Sequence, residues 1–494
     1  MLNWFARGRR RAHPWDLDTE LCRWASRTPW RIRDAVEGTL ILGATGSGKT
    51  TATGRMLADA FLHAGFGGLI LTTKPDERAM WERYCAATGR LDDLIVFSPA
   101  NPYRFNFLNY ELQCGGAGAG ITHNLVNTLS EIAEVADRQS GGGGNEERFW
   151  QRAERQNHTN SISLQRLAQG RVSVGDLYRV IVSAPTSLDQ VRSAEWRAES
   201  FCMQLILQAS QRIQTDMDRA EFELVSDYYL LEWPQLSDKT RSVIQATVTS
   251  MLDTLNRGII RELLSTTTSP EATPEACFDG KLILIDLPVK TFGDVGLFAQ
   301  VIYKRMFQQA VERRRVEATS RPVMLFIDEA ANFVTSSDLM FQTTCRSAKC
   351  ATVWLSQSIQ NFYARLGGTE KAKAEADGIL ANLNTKIVHA LGDSVTTTWA
   401  AELIGKARTF HVSTNSTGHH ADFLFNTMMG HAQQASGGAN EVVDYEVQPS
   451  RFTTLRKGGP DHRFVADCIL TQAGRRFEEN GGRNWIWTSV RQRL

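Results

Sequence analysis

Residues 39–61 read TLILGATGSGKTTATGRMLADAF, and this stretch decides the fold. The apolar residues at 40–42 are typical of a buried strand, and the glycines that follow them indicate a tight loop. The apolar residues that come next recur at helical spacing. The stretch therefore predicts a strand, a glycine-rich loop and a helix that begins near Lys49.

The loop matches the spacing G-x-x-x-x-G-K-[ST], which is typical of phosphate binding after a strand and before a helix. Glycine lets consecutive backbone N–H groups turn inward around an anion, and the helix N-terminus adds partial positive charge. The predicted nucleotide-binding residues are Gly43, Ala44, Thr45, Gly46, Ser47, Gly48, Lys49, Thr50 and Thr51. We expect Lys49 to contact the β- and γ-phosphates of ATP and Thr50 to offer its hydroxyl to Mg²⁺. A glycine-rich turn with a surface lysine is the alternative.

The composition indicates a large and nearly neutral chain. With 494 residues, 42% of them hydrophobic, it can bury more than one core, so two or three domains are expected. The 55 Lys+Arg against 54 Asp+Glu exclude a uniformly basic surface, so any contact with DNA must be local. The eight cysteines include no pair at two-residue spacing, which is typical of a reducing, cytoplasmic interior. A membrane helix needs about eighteen consecutive apolar residues, and no apolar run in the sequence approaches that length. We therefore expect a soluble chain.

Short apolar runs recur along the chain and indicate strands buried on both faces, because they are continuous and not alternating. They occupy residues 39–42, 68–73, 94–99, 281–288, 323–330, 351–358 and 385–392. Helical patterns lie between many of these runs, for example at 296–315. Alternating strands and helices predict an α/β fold with a mainly parallel sheet between layers of helices.

Residues 111–235 interrupt this alternation with helical patterns and almost no strand signal, which predicts an all-helical insertion domain. The glycine run at 141–144 predicts a loop within it, over residues 139–145. The expected divisions are an N-terminal segment without a transmembrane helix (1–35), a first part of the nucleotide-binding domain (36–110), the insertion (111–235) and a second part (236–494) with a polar excursion near 413–440.

A second motif, VMLFIDEAANF at residues 323–333, places two carboxylates at the end of a buried strand. Hydrolysis of a bound nucleotide requires a held metal and an activated water. We expect Asp328 to hold the Mg²⁺ through water and Glu329 to act as general base. The alternative is an acidic pair that stabilises a helix N-terminus.

The next strand end supplies further candidates. Gln357 follows the strand at 351–355, where a glutamine can sense the γ-phosphate or orient water. Arg346 and Lys349 precede that strand, and either could reach the phosphates of a neighbouring subunit and stabilise transition-state charge. Surface salt bridging is the alternative, particularly for Lys349.

The chain resembles the conjugative coupling proteins of type IV secretion systems (TraD/TraG type), within the FtsK/HerA group of motor ATPases. The segments that carry the resemblance are GATGSGKTT (43–51), LSDKTRSVIQATVTSMLDTL (236–255), GKLILIDLP (280–288), LFIDEAANF (325–333), VWLSQSIQNFYARLG (353–367) and ILANLNTKIVHALGD with AAELIGK (379–406). The Ser-Gln-Ser tripeptide and the leucine- and asparagine-rich segment are more specific than the first motif, which many NTPases share.

The resemblance implies a RecA-like domain interrupted by a helical domain, assembled as a homo-hexameric ring that moves DNA through its centre. Lys49 and Thr50 would bind nucleotide and Mg²⁺, Asp328 and Glu329 would carry hydrolysis, and Gln357 would sense the γ-phosphate. Arg346 would be the finger from the adjacent subunit. The implied partners are DNA bound without sequence preference, the relaxase and type IV secretion components.

The chain departs from the family pattern in two places. Family members usually begin with a transmembrane hairpin, and this chain has none. We therefore expect a cytoplasmic protein that either docks at the inner membrane on a separate membrane-anchoring subunit or is one of the soluble versions. The family's Asp-Pro-Lys element is matched only loosely by LTTKPDERAMW (71–81), which makes Lys74 a weaker candidate.

Two other functions remain open from the sequence. The chain could be a receptor that recruits protein effectors to a secretion channel, with ATP as an assembly switch. It could also be a HerA-like motor in DNA repair or phage defence. The response of its ATPase activity to DNA separates the motors from the receptor.

Overall fold

The computed structural model describes residues 13–115, 120–140, 145–415 and 436–492. Residues 141–144 of the predicted loop, residues 416–435 of the predicted polar excursion and residues 1–12 of the predicted N-terminal segment lie outside the described residues. Residues 139, 140 and 145 of the predicted loop are helical, so the loop prediction is wrong at those three positions. All eight cysteines are free thiols. Within the described ranges, no helix has both the length and the apolar character needed to cross a membrane.

A nine-stranded sheet lies at the centre of the fold. The strands in chain order are β1 (Glu20–Ala25), β2 (Thr28–Arg31), β3 (Thr39–Leu42), β4 (Gly67–Leu71), β5 (Leu94–Phe97), β6 (Leu282–Ile285), β7 (Val323–Ile327), β8 (Cys350–Ser356), β9 (Thr385–Val388), β10 (Lys406–Asn415), β11 (Ser436–Tyr445), β12 (Val465–Gln472) and β13 (Trp485–Arg491). The order across the sheet is β13-β12-β9-β3-β8-β7-β4-β6-β5. The pairs β1–β2 and β10–β11 form separate antiparallel hairpins.

The predicted α/β class with a mainly parallel sheet is confirmed. Each of the seven apolar runs overlaps one of the strands β3 to β9, and these seven strands are parallel to one another. Leu42 pairs with Ser356 of β8 on one side and with Val388 of β9 on the other. The carboxyl ends of these three strands therefore lie at the same edge of the sheet.

The sheet also contains two antiparallel strands, β12 and β13, that the sequence analysis did not predict. Residues of β13 alternate between buried and exposed, as expected for a strand at the edge of a sheet with only one covered face. β12 joins this edge strand to β9.

Helices supply the layers on the two faces of the sheet. In chain order they are α1 (Ile32–Ala35), α2 (Arg55–His63), α3 (Glu77–Ala87), α4 (Phe107–Gln113), α5 (Thr122–Ser140), α6 (Asn145–Gln169), α7 (Val174–Ser183), α8 (Leu188–Arg192), α9 (Ala194–Glu199), α10 (Phe201–Ser210), α11 (Asp216–Asp227), α12 (Trp233–Gln235), α13 (Asp238–Leu255), α14 (Gly258–Leu264), α15 (Val289–Arg313), α16 (Ser337–Thr344), α17 (Gln360–Arg365), α18 (Glu370–Ala381), α19 (Ser394–Ile404) and α20 (Pro449–Thr453).

Two apolar cores lie on opposite faces of the sheet. In β3, Leu40 and Leu42 belong to one core and Ile41 to the other, because successive side chains of a strand point to opposite faces. The first core continues into the helical region, where it includes Leu125 of α5 and Ile162 of α6. The helical region is therefore packed on the sheet domain and is not an independent appendage.

The helical insertion runs from α4 to α14, between β5 and β6. Helices continue past the predicted boundary at 235, and α13 packs against α6 and α7. The chain enters and leaves this region side by side, because Phe105 and Thr268 form an antiparallel bridge. The division of the chain into domains at residues 110 and 235 stays a prediction.

A buried ion pair joins α15 to the segment after β7. Lys304 and Asp338 are fully buried and form a salt bridge. The Lys304 ammonium also donates to the carbonyl of Phe333 at 2.6 Å, while Gln308 and the backbone N–H of Thr335 donate to the Asp338 carboxylate at 2.7 and 2.8 Å. Because both charges have several polar partners, this pair fixes the path of the chain that follows residues 328 and 329.

We expect Asp338→Ala to destabilise the full-length protein by about 3–5 kcal/mol, because it leaves the Lys304 ammonium buried without its counter-ion. Adding Lys304→Met to that variant should recover most of the loss, since the unpaired charge is then removed. Chemical denaturation of the three proteins measures both effects. The exposed pair between Asp253 and Arg257 provides the control, because Asp253→Ala should cost less than about 1 kcal/mol. Equal losses for the two aspartate variants would contradict the assignment.

Candidate functional site

The glycine-rich loop lies at the carboxyl end of β3 and is held by both neighbouring strands. The backbone N–H of Gly43 donates to the carbonyl of Ser356 at 3.2 Å, and that of Ala44 donates to the carbonyl of Ala390 at 2.8 Å. Gly46 and Gly48 have φ angles of 74° and 88°, in the left-handed region that favours glycine. The loop ends where a π-helical turn, Lys49–Gly54, leads into α2.

The shape and polarity of this loop fit a phosphate group. A Cβ at Gly43 would lie 2.4 Å from the hydroxyl oxygen of Ser47, and a Cβ at Gly48 would lie 2.7 Å from the Cβ of Ala466. Nothing lies within 4 Å of the position that a Cβ would take at Gly46. The hydroxyl of Ser47 is buried and has no hydrogen-bond partner in the described part of the chain. An anion bound in the loop would satisfy that hydroxyl and the N–H groups that turn inward.

The acidic pair lies opposite the loop, at the end of β7. The hydroxyl of Thr50 donates to Asp328 Oδ2 at 2.9 Å, and the ammonium of Lys49 donates to Glu329 Oε1 at 3.1 Å. The backbone N–H of Glu329 donates to Asp328 Oδ1 at 2.9 Å. All but Thr50 of these four residues are buried. The structure therefore brings both predicted carboxylates against the predicted phosphate-binding residues.

Glu329 has an unusual backbone conformation, with φ 53° and ψ 50° in the left-handed region. A residue with a Cβ is sterically strained in this region, and such strain concentrates at functional sites. A 3₁₀ turn, Ala330–Asn332, starts immediately afterwards, so β7 does not continue into a regular helix. The alternative prediction, that the acidic pair stabilises the N-terminus of a regular helix, is therefore wrong.

Gln357 follows β8, the strand that lies between β3 and β7. Its side-chain amide donates to Glu329 Oε1 at 3.2 Å, the same oxygen that accepts from Lys49. Gln357 is exposed, whereas Glu329 is buried. The glutamine therefore lies on the solvent side of the carboxylate, where it can contact a water or a phosphate oxygen.

Lys74 and Glu77 follow β4 and extend the site by one more strand. The ammonium of Lys74 lies 3.8 Å from Asp328 Oδ2 and 4.0 Å from Glu77 Oε1. Burial lowers the pKa of Lys74, but Asp328, Glu77 and Glu329 together raise it above its usual value, so the ammonium stays charged. Burial and the charge of Asp328 raise the pKa of Glu77 to about 8. Sequence reasoning missed Glu77, although its position just after a strand of the same edge was a usable signal.

The predicted metal site contains few protein ligands. Thr50 and Asp328 offer two oxygens, and no cluster of three or more His, Cys, Asp or Glu side chains able to hold a metal occurs in the described ranges. Mg²⁺ binds through one or two protein oxygens together with substrate phosphates and water. The chemistry of the pair therefore fits a magnesium ion that arrives with a nucleotide.

Arg346 lies before β8, at the amino ends of the strands, and so on the edge of the sheet away from the phosphate loop of its own chain. Its guanidinium is mostly exposed and forms a 3.2 Å salt bridge with Glu37. A role for Arg346 at the site of a neighbouring subunit stays a prediction.

Lys349 is buried, and its ammonium donates to the carbonyls of Ala318 at 2.6 Å and Ser320 at 3.3 Å. For Lys349, both the neighbouring-subunit and the surface salt-bridge predictions are wrong, because this ammonium binds backbone carbonyls inside its own chain.

Two residues from distant parts of the chain support the phosphate loop and were not predicted. His389, after β9, lies with Nε2 2.7 Å from the hydroxyl of Thr53, which in turn donates to the carbonyl of Lys49 at 3.2 Å. The side-chain amide of Gln492 donates to the hydroxyl of Thr51 at 2.7 Å. His389 lies within the segment ILANLNTKIVHALGD that carries the resemblance, but only the three-dimensional arrangement reveals the contacts of either residue.

The fold matches solved structures of the conjugative coupling protein TrwB over almost its whole length. The unbound monoclinic form of TrwBΔN70 is 16% identical, with a TM-score of 0.57 over 96% of this chain and 89% of that chain. TrwB with the non-hydrolysable GTP analogue GDPNP is 15% identical, with a TM-score of 0.54 over 96% and 89%. TrwB with ADP and Mg²⁺ is also 15% identical, with a TM-score of 0.55 over 94% and 88%. At sequence identities this low, the matches establish the fold alone.

A second comparison concerns the sequence itself. Residues 322–444, which include β7 to β9 and the acidic pair, match the family model described as the TraM recognition site of TraD and TraG. The resemblance to the TraD/TraG coupling proteins is confirmed. This chain therefore has the fold of the coupling protein TrwB and, over residues 322–444, a sequence similar to the TraM recognition site of TraD and TraG. No curated protein sequence matches it.

The burial of His389 beneath the phosphate loop makes stability depend on pH. Burial lowers its pKa to about 4 from 6.5. The unfolded chain therefore binds a proton at this residue between pH 6.5 and 4 while the folded protein does not, and stability is lost as the pH falls through that window.

We expect the unfolding free energy of His389→Gln, relative to the unmodified protein, to be constant above pH 7 and to shift in favour of the variant by up to about 3 kcal/mol at pH 4. The glutamine cannot take up the proton that opposes folding. Chemical denaturation between pH 4 and 8 measures the difference. His462→Gln is the matched control, since His462 is exposed, and a parallel pH profile for both variants would contradict the prediction.

Proposed function

We propose that this chain is an ATP-driven, homo-hexameric DNA translocase that delivers relaxase-bound DNA to a type IV secretion channel during conjugation. The observation that carries the proposal is the contact of Lys49 and Thr50 with Glu329 and Asp328 across neighbouring strand ends. That arrangement has the parts that hydrolysis of a nucleoside triphosphate needs: phosphate contacts, metal ligands and a carboxylate base. The coupling-protein fold supplies the biological setting.

The residues of the site divide the work between binding and proton transfer. Lys49 exchanges its contact with Glu329 for the β- and γ-phosphates of ATP, and the carboxylate then becomes free to accept a proton from the attacking water. Gln357 orients that water or contacts the γ-phosphate, because its amide lies on the solvent side of Glu329. Thr50 and, through water, Asp328 hold Mg²⁺. When bound, Mg²⁺ offsets charge on the phosphate oxygens.

Solved structures of TrwB contain ADP with Mg²⁺ and non-hydrolysable analogues of GTP and ATP, which supports a nucleotide as the ligand. In the proposed ring, DNA binds through its phosphates without base recognition. Arg346 reaches the phosphates of the adjacent subunit, and its exposure at the surface of its own chain is compatible with that role. The near-neutral charge of the chain allows basic side chains to be concentrated in a channel.

We also propose a protein partner of the TraM type for residues 322–444, because the matching family model is named for recognition of TraM. The proposed role places the protein on the cytoplasmic side of the inner membrane. A separate membrane-anchoring subunit and the relaxase complete the set of proposed partners.

Substitution of the two central residues should separate binding from hydrolysis. We expect Lys49→Ala to abolish nucleotide binding, and Glu329→Gln to retain it while lowering kcat about 10²–10⁴-fold, because only the general base is lost. A phosphate-release assay and a fluorescent-nucleotide titration measure the two effects. Lys239→Ala, an exposed lysine of α13, is the control. Normal turnover by Lys49→Ala would overturn the proposal.

The response to DNA tests the motor itself. We expect single- or double-stranded DNA to stimulate the ATPase activity, and the DNA concentration for half stimulation to rise at least tenfold between about 50 and 200 mM salt, because phosphate contacts release counter-ions. The assay compares random sequences of one length at both salt concentrations. Stimulation by a partner protein alone would support the effector receptor instead. Stimulation by DNA without any effect on conjugation would support the repair or defence motor.

A further inference from the structure

A pocket opens beside the catalytic carboxylate and shares Lys74, Glu329 and Gln357 with the site described above. Its volume is about 280 Å³, and it lies among the ends of β4, β7 and β8 and helix α17. The polar side chains that define it are Lys74, Lys290, Asn332, Gln357, Asn361 and Arg365, and Glu329 forms part of its wall. None of the nine loop residues predicted to bind the nucleotide lines it.

Three cations, Lys74, Lys290 and Arg365, line the pocket with the Glu329 carboxylate, and of these Lys74 also lies within 4.0 Å of Asp328 and Glu77. Lys290 has no ion-pair partner among the described residues, and Arg365 donates to the side-chain oxygen of Asn332 at 2.9 Å. Lys290 and Arg365, neither of which pairs with a carboxylate among the described residues, favour a small anion in this concave site.

The donor set identifies the anion by its chemistry. Two ammonium groups, a guanidinium and three side-chain amides offer many N–H donors, which suits a tetrahedral oxyanion with several acceptor oxygens. The volume accommodates an orthophosphate with a few waters, since each water occupies about 30 Å³. It is too small for a nucleotide or a segment of duplex DNA.

Resting on the proposed ATPase activity, we propose that this pocket binds orthophosphate as it leaves the hydrolytic site. Cleavage of the terminal phosphoryl group leaves a dianion between Asp328 and Glu329, whose charges repel it. Lys290 and Arg365, which line the pocket together with Glu329, attract it. The phosphate therefore moves from the two carboxylates toward Lys290 and Arg365.

Titration of inorganic phosphate into the full-length protein, with and without Mg²⁺ and ADP, tests the pocket directly by calorimetry. We expect binding to persist when ADP fills the phosphate loop, and Lys290→Gln and Arg365→Gln each to weaken it about tenfold, since each removes a charge-assisted contact. Lys371→Gln, an exposed lysine of α18 outside the pocket, should leave the affinity unchanged. Equal phosphate affinity in all four proteins overturns the proposal, as does binding that Lys49→Ala abolishes.

A single-turnover time course tests whether the phosphate in the pocket comes from the cleaved bond or from solution. Rapid quenching measures cleavage, and a phosphate sensor measures release. We expect a delay between the two in the unmodified protein that shortens about tenfold in the Lys290→Gln and Arg365→Gln variants, with cleavage unchanged. Identical delays in all variants contradict the exit path while leaving the ATPase activity intact. Conversely, an inactive protein with phosphate binding that depends on Lys290 would remove the proposed function and retain the anion site.

Discussion

The order of the three strands β3, β8 and β7 is the constraint on which the site depends. Lys49, Gln357 and Glu329 come from loops far apart in the chain, and they meet because their strands are adjacent and parallel. The carboxyl ends of parallel strands in an open α/β sheet form a common edge, where ligands bind. One carboxylate oxygen, Glu329 Oε1, accepts from both Lys49 and Gln357, so the three loops share a single point of contact.

That contact requires a strained and well-supported backbone. Glu329 has left-handed φ and ψ angles, and the chain then turns through a 3₁₀ segment toward Asp338. Lys304 holds the carbonyl of Phe333 and the Asp338 carboxylate in a site without solvent access, which anchors this turn to α15. The strain at Glu329 persists because the surrounding hydrogen bonds over-determine the segment. The catalytic geometry and the packing of α15 are therefore parts of one arrangement.

The sequence was sufficient for the elements whose signals are local. All seven parallel strands could be predicted because strands buried on both faces are continuous apolar runs, and the phosphate loop has a spacing that few other structures require. β12 and β13 were missed because β13 alternates between buried and exposed residues at an edge of the sheet, and β12 joins it to β9 in antiparallel pairing. In the site, the side chains at strand ends were predictable by type. His389 was not, because its contact with Thr53 spans 336 residues and leaves no local pattern.

The difference between local signals and contacts with distant parts of the chain also explains why the predictions for Arg346 and Lys349 had different outcomes. An exposed arginine retains its charge for a partner, whereas the Lys349 ammonium is saturated by backbone carbonyls inside the chain. The pocket beside Glu329 contrasts with Lys349, because its Lys290 ammonium has no ion-pair partner among the described residues. Lys290 lies at the carboxyl edge of the sheet, whereas Arg346 lies at the amino ends of the strands, where it pairs with Glu37. Repulsion between a phosphate dianion and the two carboxylates then sets the direction in which the product moves.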